Sequence, residues 1–162
     1  FSLWDTFRST HPLYNLIERK KTALFLNTFL NQYQFGGQLP IWELCANYTG
    51  CMIGYHVVSV ILDAYVKSID FDNYPKLYSA MKEISNRKNL GIPEYKNKGY
   101  ISSFQEPESV SKTLEYAYND WCIYKMAQVY NDSNTMDSYV KRAQSYKNIF
   151  NLNSGLMQPK TN

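Results

Sequence analysis

The segment from Thr49 or Gly50 to Ser68 carries apolar residues almost all round a helical wheel: Met52, Ile53, Val57, Val58, Val60, Ile61, Leu62 and Val66. A helix of that kind has to be enclosed by other helices, whereas a helix with one apolar stripe lies on the outside. The following segments alternate between these characters. Tyr74 to Asn89 reads as amphipathic, capped by Asn73 with Pro75 in its first turn. Ser109 to Tyr130 is long and broadly apolar, with Val110, Leu114, Ala117, Trp121 and Tyr124 at helical spacing. Met136 to Phe150 has a single stripe of Met136, Tyr139, Ala143, Tyr146 and Phe150, with Lys141, Arg142 and Lys147 largely outside it. Ahead of them, Glu18 to Phe35 forms a helix ended by Gly36-Gly37, which tolerate a left-handed C-cap. The fold class expected is therefore all-α, with inner and outer helices alternating as in an α/α toroid. A four-helix bundle would instead give every helix one stripe.

Between the helices, Leu39 to Tyr48 reads as an irregular connection broken by Pro40, and Gly91 with Pro93 opens a loop that includes Lys96 to Gly99. Asn134 with Asp137 resembles a capping box for the last helix. At 162 residues, with 44% apolar and 19% charged side chains, the chain suits one globular domain. Its net charge of +3 is scattered, and Arg19-Lys20-Lys21 reads as the solvated face of a helix, so no nucleic-acid partner is expected. The longest apolar run, Cys51 to Val66, contains His56 and Asp63 and is shorter than the ~20 residues of a spanning helix, so no membrane span is expected. Phe-Ser-Leu-Trp opens the chain without a basic leader or cleavage site, so no signal peptide is read here and further sequence is expected upstream. Cys45, Cys51 and Cys122 are too few for a disulfide framework and lack zinc spacing; they read as small buried hydrophobes.

Two Trp-acid pairs carry the chemistry: Trp4-Asp5 and Trp42-Glu43. An indole offers an apolar face to the C–H groups of a sugar, and a neighbouring carboxylate accepts hydrogen bonds from adjacent hydroxyls. Arg8, three residues after Asp5, can steer or brace that carboxylate. Each residue also has a structural reading. Asp5 can be the N-cap of a short helix from Thr6 to Ser9, Trp42 a plug in the ring, and Glu43 an acceptor for backbone amides. Asn47 and Thr49 read as caps of the following helix, and His56 as a core histidine in its second turn. A glycosidase needs two carboxyls facing each other across a bond, roughly 6.5–9.5 Å apart for inversion or about 5–5.5 Å for retention. Glu115 and Asp120 fall on different sides of their helix, and no acid spacing in the chain identifies such a pair. No nucleotide-binding glycine loop, serine elbow or dedicated metal motif is present.

Several blocks carry a closer likeness: Phe-Ser-Leu-Trp-Asp-Thr-Phe-Arg-Ser-Thr-His-Pro-Leu at 1–13, Gly-Gly-Gln-Leu-Pro-Ile-Trp-Glu-Leu at 36–44, and Asn-Tyr-Thr-Gly-Cys-Met-Ile-Gly-Tyr-His at 47–56. They continue in Ser-Val-Ser-Lys-Thr-Leu-Glu-Tyr-Ala-Tyr-Asn-Asp-Trp at 109–121 and in a tail that includes Gly-Leu-Met-Gln-Pro at 155–159. In these blocks, and in their order, the chain resembles glycoside hydrolase family 92, the calcium-dependent exo-acting α-mannosidases. The resemblance implies an (α/α)6 toroid packed on an N-terminal β-sandwich, and removal of terminal α-linked mannose with inversion, α-1,2 linkages being the expected type. It places Trp4 and Asp5 at positions that contact the terminal mannose, and Arg8, Trp42 and Glu43 in the matching motifs as further substrate-binding residues. The general acid, the base and much of the calcium site are expected downstream of the Gly-Leu-Met-Gln-Pro segment. Residues 1–162 therefore read as a partial catalytic domain, about half of the toroid, with no catalytic residue of its own and no activity alone. Calcium is expected in the intact enzyme, and no ligand set for it is evident in this chain. Its expected partners are mannose-containing glycans, the β-sandwich and the rest of the toroid, in a periplasmic or secreted parent. The alternative is a non-catalytic helical module that binds mannose or another polypeptide.

Overall fold

The computed structural model describes residues 1–161 and is mostly helical. The chain divides into two compact units, Phe1–Ile84 and a second from Ser85 onward. In the first, α1 (Leu3–Thr6), α2 (Thr10–Ile17) and α3 (Arg19–Gly36) are followed by a two-residue hairpin, β1 (Glu43–Leu44) with β2 (Asn47–Tyr48), and then by α4 (Val57–Val66) and α5 (Tyr74–Ile84). Gly37 closes α3 in the left-handed conformation, its N–H bonding Tyr33 O at 2.9 Å, as the Gly36-Gly37 pair predicts. Asp5 lies inside α1, and α2 starts at Thr10, so Asp5 is not the cap of a Thr6–Ser9 helix.

The enclosed helix is shorter than its apolar pattern suggests. Residues 50–56 are irregular, and α4 begins at Val57 with His56 at its N-cap rather than in a second turn. Gly50 and Gly54 have φ of +69° and +80°, which a right-handed helix does not admit. Within α4 the expectation of all-round burial holds: Val57, Val58, Ser59, Val60, Ile61, Leu62 and Ala64 are all buried. The acidic interruption, Asp63, takes hydrogen bonds from Asn15 (2.6 Å) and Lys67 (2.7 Å). Arg19 is not simply solvated, because its guanidinium donates to the carbonyls of Asn15, Lys67 and Ser68 at the ends of α2 and α4. By contrast α5 buries one stripe, Tyr74, Leu77, Tyr78, Ala80, Met81 and Ile84, and stops there rather than at Asn89.

The connection before α4 is a hairpin turning through Cys45 and Ala46, with Leu44 opposite Asn47. Both turn residues have positive φ, +51° and +61°. Asn47 and Thr49 consequently do not cap a helix, and Cys45 and Cys51 are exposed; Cys122 alone is buried as expected. Met126 is likewise core, whereas Met52 is half-buried and Met157 exposed.

The second unit contains α6 (Ile92–Lys98), α7 (Ser109–Val129), α8 (Ser133–Arg142), a 3-10 turn over Ser145–Ile149, and a hairpin of β3 (Phe150–Asn151) with β4 (Leu156–Met157). The stretch expected as a loop at 91–99 is α6. Gly91 and Gly99 flank it in left-handed conformations with Pro93 in the first turn, an arrangement of start and stop signals that fits a short helix. The cap of α8 is Asp132, which accepts from Thr135 N (3.2 Å) and Thr135 Oγ1 (2.7 Å); Asn134 lies inside the helix. α7 is broadly buried, from Ser109 to Ala127, while α8 buries only Tyr139.

A polar knot pins α6, α7 and α8 together. Asp120 is fully buried and pairs with Arg142 through Nε–Oδ2 (2.7 Å) and Nη2–Oδ1 (3.1 Å). Tyr95 donates to Asp120 Oδ2 at 3.0 Å, and the guanidinium carbon lies 4.5 Å from the Tyr139 ring centroid. Arg142 also donates to Ser85 O at 2.9 Å. Burial and the Asp120 charge push the Tyr95 hydroxyl far above its usual range, so it stays a donor. Arg142, outside the apolar stripe in sequence, thus turns inward onto a buried carboxylate. Its long stem lets a helix with little buried surface reach the core.

Arg142→Ala leaves Asp120 buried without its countercharge and should cost about 3–5 kcal/mol, read by urea unfolding followed at Trp121. His11 is buried among Phe1, Phe25 and Phe29, its Nδ1 without a hydrogen-bond partner among the described residues. Burial, then the amino group at Phe1, lower its pKa from 6.5 to about 4. Below pH 6.5 the unfolded chain takes up a proton that the folded chain refuses. Unfolding free energy should therefore fall as pH drops from 6.5 towards 4, by at most about 3 kcal/mol from this group. His11→Phe should flatten that slope in a pH series of chemical denaturation curves.

Candidate functional site

The site is assembled by a short antiparallel contact between the first residues of the chain and the segment before β1. Ser2 pairs with Trp42; Leu3 N donates to Ile41 O (3.2 Å) and Glu43 N to Phe1 O (3.0 Å). With Ser2 beside Trp42, Leu3 falls against Ile41 and Phe1 against Glu43, and Trp4-Asp5 follows one residue beyond Leu3. Leu3 is fully buried and anchors α1, while Thr6 Oγ1 donates back to Ser2 O at 3.1 Å. On the other side Thr49 closes the hairpin onto Trp42 O through its N–H (3.2 Å) and its hydroxyl (2.8 Å).

The two Trp-acid pairs meet crosswise. Trp42 Nε1 donates to Asp5 Oδ2 at 3.2 Å, so the indole of one pair serves the carboxylate of the other. Asp5 is exposed and retains acceptor positions beyond that bond. Trp4 is half-buried, its Nε1 buried without a partner among the described residues. The Arg8 guanidinium lies 5.3 Å from the Trp4 ring centroid and 4.8 Å from that of Phe7. Arg8, in the turn just after α1, therefore stacks on two nearby rings, a cation–π arrangement that holds a long side chain in place.

Glu43 faces away from this cluster. Oε1 accepts from Ile41 N (3.0 Å) and Oε2 from the Phe1 amino nitrogen (3.0 Å), so each oxygen already serves the backbone. A peptide N–H at the position of the Phe1 nitrogen would make the same bond without the charge. A cleft of about 700 Å³ includes Glu43 in its wall with Gln32, Phe35, Gln38, Asn47 and Tyr48. Consecutive residues of an extended segment point to opposite sides, which accounts for Trp42 and Glu43 facing different surroundings.

Two residues of the cluster were not read as site residues from the sequence. Phe7 and His56 stack face to face, with ring centroids 4.0 Å apart and planes 1° from parallel. No periodicity joins positions 7 and 56. The available signal was the tight backbone at Gly54, which leaves the His56 ring room to lie against it. Among the described residues, no group of three or more His, Cys, Asp or Glu side chains could hold a metal ion. No helix among them is long and apolar enough to cross a membrane.

The whole chain, residues 1–162, matches the model of the glycosyl hydrolase family 92 catalytic domain. It is similar in structure to a family GH92 α-mannosidase of Bacteroides thetaiotaomicron in complex with mannoimidazole, with a TM-score of 0.93 and 40% identity. That similarity covers 99% of this chain and 21% of the relative. A family GH92 inverting mannosidase of the same organism also gives 0.93, at 32% identity over 99% of this chain and 23% of its own. A more distant relative, an uncharacterised secreted glycosidase of Arthroderma benhamiae, is 29% identical over 75% of this chain and 18% of its own length. The chain thus spans about a fifth of the relatives it matches. With the match running from Phe1 to Asn162 and the first of these structures 40% identical throughout, the chain belongs to glycosyl hydrolase family 92, as part of its catalytic domain.

Proposed function

We propose that this chain is the part of an inverting α-mannosidase that grips the terminal mannose, and that Trp4, Asp5, Arg8, Trp42 and Glu43 build that grip. The observation that carries the reading is the Trp42 Nε1–Asp5 Oδ2 bond, which joins residues 37 apart in sequence and so brings the two indole–carboxylate motifs to one place. Asp5 takes two neighbouring sugar hydroxyls on its remaining lone pairs while the indoles offer apolar area to the ring. Arg8 is braced over Trp4, and Glu43 holds the Trp42 segment in position through the backbone of Ile41 and Phe1.

The acid and base that complete an inverting displacement belong to the remainder of the parent enzyme in this reading, and so does calcium. The family supplies the calcium expectation, and no metal-binding group among the described residues fits it. The architecture proposed is about half of an (α/α)6 toroid. The burial pattern supports it: α4 and α7 are broadly enclosed, α5 buries one stripe, and α8 buries only Tyr139. The substrate is a mannose-terminated glycan, α-1,2-linked. An exported parent is consistent with a relative described as a secreted glycosidase.

The test is calorimetric. Titrating mannose into the chain should give weak saturable heat, and Asp5→Ala should lower the affinity about tenfold or more, the loss expected for hydrogen bonds to a charged group. No heat with the wild-type chain, or unchanged affinity in Asp5→Ala, overturns the binding role. The same preparation should release no mannose from α-1,2-mannobiose. Measurable release would show that the chain holds its own acid and base.

A further inference from the structure

The structure assigns His56 a positioning role: through one ring stack on Phe7 it fixes the turn that carries Trp4, Asp5 and Arg8. This inference rests on the reading of Trp4, Asp5 and Trp42 as the sugar-contacting set.

α1 is short and is held at a few named points. It is four residues long, without a side-chain cap at its N-terminus. Its N-terminal end is tied by the pairing of Ser2 with Trp42 and by buried Leu3. At its C-terminal end Phe7 follows directly, and the Phe7 ring lies flat on His56, with centroids 4.0 Å apart. Asp5 sits between these two attachments and is itself held by the Trp42 Nε1 bond.

His56 is itself fixed on several sides. It is 1% exposed and sits at the N-cap of α4, where its carbonyl accepts from Ser59 N (3.0 Å) and Ser59 Oγ (2.7 Å). Its ring lies against the backbone of Gly54, where a Cβ would come within 2.5 Å of Nε2. With φ at +80°, Gly54 is also in a conformation that side-chain-bearing residues rarely adopt. A buried helix start thus holds an imidazole, the imidazole supports Phe7, and Phe7 together with Trp4 supports the Arg8 guanidinium. The loop before α4 bends away from helical geometry at the point where this ring has to fit.

The experiment uses the three indole N–H signals of the 15N-labelled chain, from Trp4, Trp42 and Trp121, with mannose affinity as a second arm. In His56→Leu the Trp4 and Trp42 signals should shift, and hydrogen exchange of Trp42 Nε1–H should quicken about tenfold, while Trp121 stays in place. His56→Phe keeps a flat ring against Phe7 and should restore both signals to within about twofold of the wild-type exchange rate. Phe7→Leu should reproduce His56→Leu, and the double variant should be no worse than either, as expected for one shared contact. Phe7→Leu decides the question if His56→Leu does not fold. Mannose affinity should follow the same order across the series.

Movement of all three indoles together, unchanged Trp4 and Trp42 signals, or a His56→Phe variant as perturbed as His56→Leu would each overturn the role. If the wild-type chain binds no mannose, the sugar reading falls while the indole signals still decide whether His56 positions the turn.

Discussion

The candidate site depends on two backbone hydrogen bonds. Leu3 N to Ile41 O and Glu43 N to Phe1 O lay the start of the chain alongside the segment before the hairpin. Without them Trp4-Asp5 and Trp42-Glu43 would be separate surface motifs, each explained by local structure. With them the register is set at Ser2 opposite Trp42, and the indole of the second motif reaches the carboxylate of the first. Neither bond is strong alone, at about 1 kcal/mol net. Glu43 reinforces them by accepting from both segments, and buried Leu3 ties the register to the core.

The second unit uses a different device. α8 buries so little apolar surface that hydrophobic packing alone is a weak tether. Its attachment runs through Arg142, which reaches Asp120 on α7 and Ser85 O, while Tyr95 on α6 donates to the same carboxylate. A buried pair of this sort adds little over a well-packed apolar contact but is costly to break, so it defines one arrangement of the three helices.

Much of the helical pattern was legible because burial leaves a period in the sequence. The ends of α3 and α7, the enclosure of α4, and the single stripe of α5 follow from apolar spacing and from Gly36-Gly37. The errors fell where backbone conformation competes with hydrophobicity. Met52 and Ile53 extend the apolar pattern of α4 backwards, yet Gly50 and Gly54 are left-handed and stop the helix at His56. Pro93 between two glycines reads as a loop in sequence, yet the same residues are the start and stop signals of the short helix α6. The cap of α8 was misplaced by two residues because Asn134 and Asp132 carry equally good cap side chains. In the site, the residue types were readable but their partners were not. The Phe7–His56 stack and the Trp42–Asp5 bond join positions with no periodic relation.

The Cys45-Ala46 turn adds a thermodynamic feature to this picture. A two-residue hairpin with both φ values positive is the geometry that Asn-Gly adopts without strain, and here side-chain-bearing residues occupy it at +51° and +61°. Each such residue stores on the order of 1–3 kcal/mol. The apex therefore carries strain that the rest of the ribbon has to hold. Because Trp42 leads into the same short ribbon, and Thr49 closes that ribbon onto the Trp42 carbonyl, this strain is part of what the fold spends to keep the indole where it is.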